Sequence, residues 1–186
     1  MPQIEVKDKF PVFVGEYPFH QKLRDELVPQ LESYPDLHGK KTNVKATMTD
    51  WNWNSKSVQI KKLKLYIINI LQKEFGYKGT GQDTPPIEFE NFWGNIYHKG
   101  DYAKPHDHWP RADFSFAYFL KSKWYYSPLI FGDNYARVRP KEGRFVLFQS
   151  FMRHYVPQHR FNDTRITLSG NLVCDWSGME GYRDQI

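Results

Sequence analysis

Thr164-Arg165-Ile166-Thr167-Leu168-Ser169-Gly170-Asn171-Leu172-Val173 alternates with a period of two. That period marks a β-strand, whose successive side chains point to opposite faces. One face carries Arg165, Thr167, Ser169 and Asn171, and the other carries Ile166, Leu168 and Leu172. The interior of a small barrel is filled by apolar side chains unless it holds a ligand. A strand that turns a row of polar groups inward is therefore expected in a β architecture that either holds a ligand or pairs those groups internally.

Working outward, residues 87–173 are a succession of short segments rich in Phe, Tyr, Trp, Val and Ile, separated by Gly, Pro, Asn or Asp. This is an all-β pattern. Strands are expected over 87–97, 102–108, 113–120, 129–131, 136–138, 144–148, 154–156 and 164–173. Their number, with a turn at Pro140-Lys141-Glu142-Gly143, suits a jelly roll, which limits exposed strand edges by folding two sheets over each other.

The N-terminal part reads differently. A short strand at 10–14 contains Pro11, which suits an edge position. Leu23, Leu27 and Leu31 recur every four residues and predict a helix over 20–33, stopped at Tyr34-Pro35. Residues 43–54 are polar and irregular, with Trp51 and Trp53 expected beneath the helix that follows. Ser55 or Ser57 can cap that second helix, which runs to about Phe75 along the stripe Ile60, Leu63, Ile67, Leu71 and is ended by Gly76 and Gly79. The expected fold class is α+β, mainly β: a double-stranded β-helix (jelly roll) at about 86–175, buttressed by two N-terminal helices at about 1–85, in one domain spanning 1–186.

Composition narrows the function. Aromatic residues make up 17% of the 186, too many for a disordered chain. The longest apolar run, Leu65-Tyr66-Ile67-Ile68-Asn69-Ile70-Leu71, is far short of a membrane span, and residues 1–9 lack a secretory apolar segment. A cytoplasmic protein is expected. The single cysteine, Cys174, excludes an internal disulfide and a cysteine-cluster metal site, so histidine and carboxylate must do any metal work. The net charge of +5 admits a nucleic-acid partner. The densest basic run, residues 56–64, instead interleaves lysines with Val58, Ile60 and Leu63, as on the solvated face of an amphipathic helix.

Two clusters supply metal-binding groups: His106-Asp107-His108 and, later, His154. On a strand His106 and His108 share a face, so the pair can chelate, while Asp107 could serve only if the strand were bulged. A third imidazole from His154 completes a facial set with open positions, a geometry suited to non-haem iron(II). Arg165 follows His154 by eleven positions. If buried, it needs a planar anion, either a ligand carboxylate shared with Thr167 or an internal partner among Asp163, Glu88 and Glu90.

Asn95-Ile96-Tyr97, Gly100, His106-Asp107-His108, His154 and Arg165-Ile166-Thr167 together resemble the pattern of the iron(II)- and 2-oxoglutarate-dependent dioxygenase superfamily, within it the small oxygenases of phage and bacteria. The resemblance covers residues 92–172. It implies Fe(II) on His106, His108 and His154, with His108 standing where the superfamily usually has Asp or Glu. It also implies that Arg165 binds the distal carboxylate of 2-oxoglutarate and that Asn95, Tyr97 and Thr167 line that pocket. Molecular oxygen would be the co-reactant, and an unknown small-molecule, peptide or nucleic-acid acceptor would be hydroxylated or demethylated. The aromatic loop at 121–128, with Trp124, Tyr125 and Tyr126, is a candidate to handle that acceptor or to cover the core. Two other readings stand beside this one: a non-catalytic β-sandwich that keeps a metal site, and a three-histidine cupin-type dioxygenase that needs no 2-oxoglutarate.

Overall fold

The structure, a computed structural model, describes residues 10–35, 42–54, 56–74, 85–132, 136–175 and 177. Two helices precede most of the strands, and the strands divide into two antiparallel sheets. In chain order the elements are β1 (Phe13–Glu16), α1 (His20–Glu32), β2 (Val44–Lys45), β3 (Thr47–Met48), α2 (Val58–Glu74), β4 (Ile87–Tyr97), β5 (Tyr102–His106), β6 (Phe114–Lys121), β7 (Leu129–Phe131), β8 (Ala136–Val138), β9 (Arg144–Gln149), β10 (His154–Val156) and β11 (Arg165–Cys174). The larger sheet has the order β1-β9-β6-β11-β4-β3 and the smaller one β2-β5-β10-β7-β8.

The alternation of β11 divides the core. Ile166, Leu168 and Leu172 face outward from the sandwich into a cluster with Leu23, Leu27 and Leu31 of α1 and Ile60, Leu63, Ile67 and Leu71 of α2. Both helices thus cover one face of the larger sheet, and their periodic leucines and isoleucines are the reason they form. Ser57 caps α2, accepting from Ile60 N–H at 3.2 Å. The contact with α1 is close enough that a Cβ at Gly94 would lie 2.6 Å from Leu31 Cδ2, a side chain with nowhere to go at 1% exposure. Between the sheets lies a second cluster, with Trp93, Tyr97, Phe119, Val146 and Phe148 from the larger sheet and Ala103, Leu129, Phe131, Val138 and Val156 from the smaller.

The expected double-stranded β-helix with two buttressing helices is therefore present, and four strands keep their expected bounds. The differences are local. The N-terminal strand begins three residues later than expected, at Phe13, because its register against β9 pairs Phe13 with Leu147. Residues 43–54 are not wholly irregular: β2 pairs with β5 and β3 with β4, so this segment straddles both sheets. Trp53 does pack on the helical cluster, but Trp51 lies elsewhere, 53% exposed and edge-on to Trp93 at 4.6 Å. β5 ends at His106 rather than 108. Ser55, Phe75, Gly76 and Gly79 lie outside the described residues.

Candidate metal centre

Cross-strand register builds the site. His106 on β5 stands directly opposite His154 on β10, and their rings are 4.4 Å apart. His108 lies just past the end of β5. Its N–H donates to Ser150 O at 2.9 Å, which ties this segment to the chain leaving β9 and brings the ring within 5.1 Å of His106 and 5.2 Å of His154. One nitrogen from each of the three lies within 4.8 Å of the others. Asp107 is exposed and is not part of the set.

The hydrogen bonds fix which nitrogen faces the centre. His106 Nδ1 lies 2.7 Å from Lys104 O and His154 Nδ1 lies 2.9 Å from Met152 O. A carbonyl only accepts, so each Nδ1 carries the hydrogen and each Nε2 keeps its lone pair. Burial holds all three imidazoles neutral: His108 is lowered to about 4, with His106 adding to the effect, His106 is lowered, and His154 is lowered well below the ordinary value. Three convergent neutral lone pairs fit a divalent transition metal.

That burial has a sign that can be checked. A histidine whose pKa falls on folding contributes stability that is present above the unfolded value, about 6.5, and is lost as pH drops toward the folded one. The metal-free protein is expected to lose stability between about pH 6.5 and 4, and a His154→Gln variant should show a shallower loss. Equal slopes in urea unfolding at a series of pH values would refute the assignment of this pH dependence to the cluster.

The second half of the site comes from β4 and β11. Arg165 is paired with Tyr97 and Thr167 with Asn95, so the four residues form two neighbouring cross-strand pairs. Arg165 is 1% exposed. Its guanidinium lies against the rings of Tyr97, at 5.1 Å, and Phe119, at 5.4 Å, and donates from Nη1 to Ser127 O at 3.0 Å. Its Nε has no partner among the described residues. The internal salt bridge that the sequence left open is not formed: Asp163 is taken by Lys123 at 2.5 Å, and Glu88 and Glu90 are exposed. Asn95 accepts from Trp93 Nε1 at 3.1 Å and donates to Ser169 Oγ at 3.0 Å and Thr167 Oγ1 at 3.4 Å, so it braces the pocket wall. One cavity is lined by His106, His108, His154, Arg165, Thr167, Asn95 and Tyr97 together.

Trp124, Tyr125 and Tyr126 line neither this cavity nor the cleft at its mouth. The loop is pinned to residues 158–163, with Tyr126 against His159 at 4.7 Å, Tyr125 against Phe161 at 4.9 Å and Ser127 Oγ donating to Gln158 O. It closes the Arg165 end, and the Ser127 carbonyl that accepts from Arg165 is the contact that sequence reasoning missed. The mouth is instead bordered by Trp51, Trp93, Trp109 and Met48. A tryptophan beside each of the two segments that carry the motifs, Trp93 before Asn95 and Trp109 after His108, was the available signal.

The double-stranded β-helix thus carries a histidine set that could hold a metal at one end of its inner cavity and a buried arginine at the other. The chain is similar in fold to a prolyl-4-hydroxylase of Pseudomonas putida, with a TM-score of 0.67, 16% identity, and coverage of 89% of this chain and 93% of that one. It is also similar to the viral collagen prolyl hydroxylase of Paramecium bursaria Chlorella virus-1, solved with 2-oxoglutarate (0.62, 14%, 86% and 94%). A third is a non-haem α-ketoglutarate-dependent epimerase of nogalamycin biosynthesis (0.66, 8%, 89% and 78%). No family model matches the sequence, and no curated protein does. At these identities the likeness is one of fold.

Proposed function

We propose that this chain is an iron(II)- and 2-oxoglutarate-dependent oxygenase. The observation that carries the reading is the shared cavity: three neutral imidazoles converge in the same space as a buried arginine that no carboxylate of the described residues neutralises. A buried unpaired charge is costly, and an anionic ligand removes that cost. His106, His108 and His154 would hold the iron. Arg165, with Thr167 beside it, would hold the distal carboxylate of 2-oxoglutarate, and Tyr97 and Asn95 would shape the pocket. A cupin-type centre without 2-oxoglutarate has no use for that arginine.

Iron held there with its cosubstrate would supply the oxygen activation and hydrogen abstraction that no side chain can perform. The chain's own part is positional. The Lys104 and Met152 carbonyls keep two imidazoles in the orientation and tautomer that present Nε2. Ser127 O, Tyr97 and Phe119 fix the plane of the guanidinium, so its two-pronged edge is set before the anion arrives. Leu129, Phe148 and Val156 keep water from the space between. With His108 where a carboxylate is usual, the ligand set carries no charge of its own and leaves the centre more positive. The buried thiol Cys174 and the absence, among the described residues, of a helix long and apolar enough to cross a membrane suit a cytoplasmic location, and residues 1–186 read as one domain.

Fold does not fix the acceptor, as an epimerase among the similar folds illustrates. The activity itself can be tested without it. Purified protein given Fe(II), 2-oxoglutarate and oxygen is expected to release succinate slowly, above a His154→Ala control. If both iron and cosubstrate bind yet succinate stays at the control level with peptides, nucleotides and cell extract supplied, the oxygenase reading gives way to a metal-binding one.

A further inference from the structure

The cleft that opens onto His106 and His108 has walls that the metal chemistry at its floor does not require. It encloses about 950 Å³, bordered on one side by the β2–β3 segment and on the other by residues 107–111. Trp51 stands on the first side and Trp109 on the second, 53% and 63% exposed. Large apolar groups held at a cleft in this way mark a binding surface. Trp51 is braced edge-on against Trp93, itself held by its bond to Asn95, while Trp109 makes no ring contact with any described residue. Lys45, Lys104 and Arg111 lie along the same walls and outnumber the acids there, Glu90 and Asp107. Neither Lys104 nor Arg111 forms a salt bridge among the described residues. On the oxygenase reading, the floor adds a dication held by uncharged ligands.

We propose that this cleft binds single-stranded nucleic acid, with bases stacked on Trp51 and Trp109 and phosphates facing Lys45, Lys104 and Arg111. The proposal rests on the oxygenase reading for its consequence, since it makes a nucleobase or its sugar the acceptor presented to the metal centre. Indoles and cations along one cleft are what a single strand requires, and stacking needs no base-reading segment because every base has a π-face. A paired base does not reach a recessed floor, so the strand must be single or the base extruded. An acidic aromatic peptide would also use indoles and cations, and it is the competitor the test must exclude.

Fluorescein-labelled oligothymidylate is titrated with the full-length protein, free of iron and 2-oxoglutarate, and followed by anisotropy between about 50 and 200 mM salt. Three phosphate contacts predict that log K falls against log salt with a slope of about −2. Trp51→Ala and Trp109→Ala should each weaken binding about 5- to 150-fold at unchanged slope, whereas Lys104→Ala should lower the slope by about 0.7. Both tryptophans are exposed, so the variants are checked for unchanged circular dichroism, and Trp109→Phe should recover part of the affinity. The proposal fails if unlabelled polyphosphate or an acidic tyrosine-rich peptide competes as well as the oligonucleotide, or if the tryptophan variants bind like wild type. Because no metal is present, such a failure leaves the succinate test untouched, and a failure of the succinate test leaves this one untouched.

Discussion

His154→Ala is expected to abolish stoichiometric iron binding and to lower 2-oxoglutarate turnover by more than about 100-fold, beyond what loss of an outer-shell partner costs a metal site. His154 is the buried member of the set and the cross-strand partner of His106, so its loss removes the central ligand and leaves two imidazoles on one short segment. Circular dichroism should show that the variant still folds. Metal content by elemental analysis and succinate release are the measurements. His108→Ala should behave similarly, His108→Asp should retain iron because it supplies the usual carboxylate, and Asp107→Ala should be silent. Retention of full affinity by His108→Ala with loss in Asp107→Ala would overturn the ligand assignment.

Arg165→Ala is expected to weaken 2-oxoglutarate binding by at least about 10- to 100-fold, the range for a lost hydrogen bond to a charged group. Arg165→Lys should not restore it, because an ammonium cannot reproduce the planar fork set between Tyr97 and Phe119. Stability separates this role from a structural one. With Nε unpartnered and no ion pair to Arg165 among the described residues, Arg165→Met should be at least as stable as the wild-type protein without ligands. A large fall in the urea midpoint for Arg165→Met, together with unchanged cosubstrate binding, would make Arg165 a structural residue.

Much of this was legible because the strongest signals are periodic. The leucines of α1 and the alternation of β11 each define one buried face, and a one-residue slip would expose the whole set. The site motifs were legible because histidine, arginine and threonine sit at spacings that two strands can superimpose. β2 and β3 were not legible: a two-residue strand has no period, and both are held by pairing to β5 and β4 rather than by their own composition. Trp51 followed from the same gap, since nothing local says that the segment before α2 turns toward the cavity mouth. The aromatic loop was open between two roles, and Tyr126 at 3% exposure against His159 shows how chain returning from β10 to β11 draws it onto the Arg165 end.

The central claim is that one cavity holds both a histidine-bound iron and a 2-oxoglutarate anchored by Arg165. Anaerobic titration tests it most directly: Fe(II) is added to the protein, then 2-oxoglutarate, and the visible charge-transfer band of an iron(II)-2-oxoglutarate chelate is followed. The account predicts a band that saturates at one iron per chain, is absent in His154→Ala and requires far more cosubstrate in Arg165→Ala. No band in a protein that has bound iron, or an undiminished band in Arg165→Ala, would contradict it.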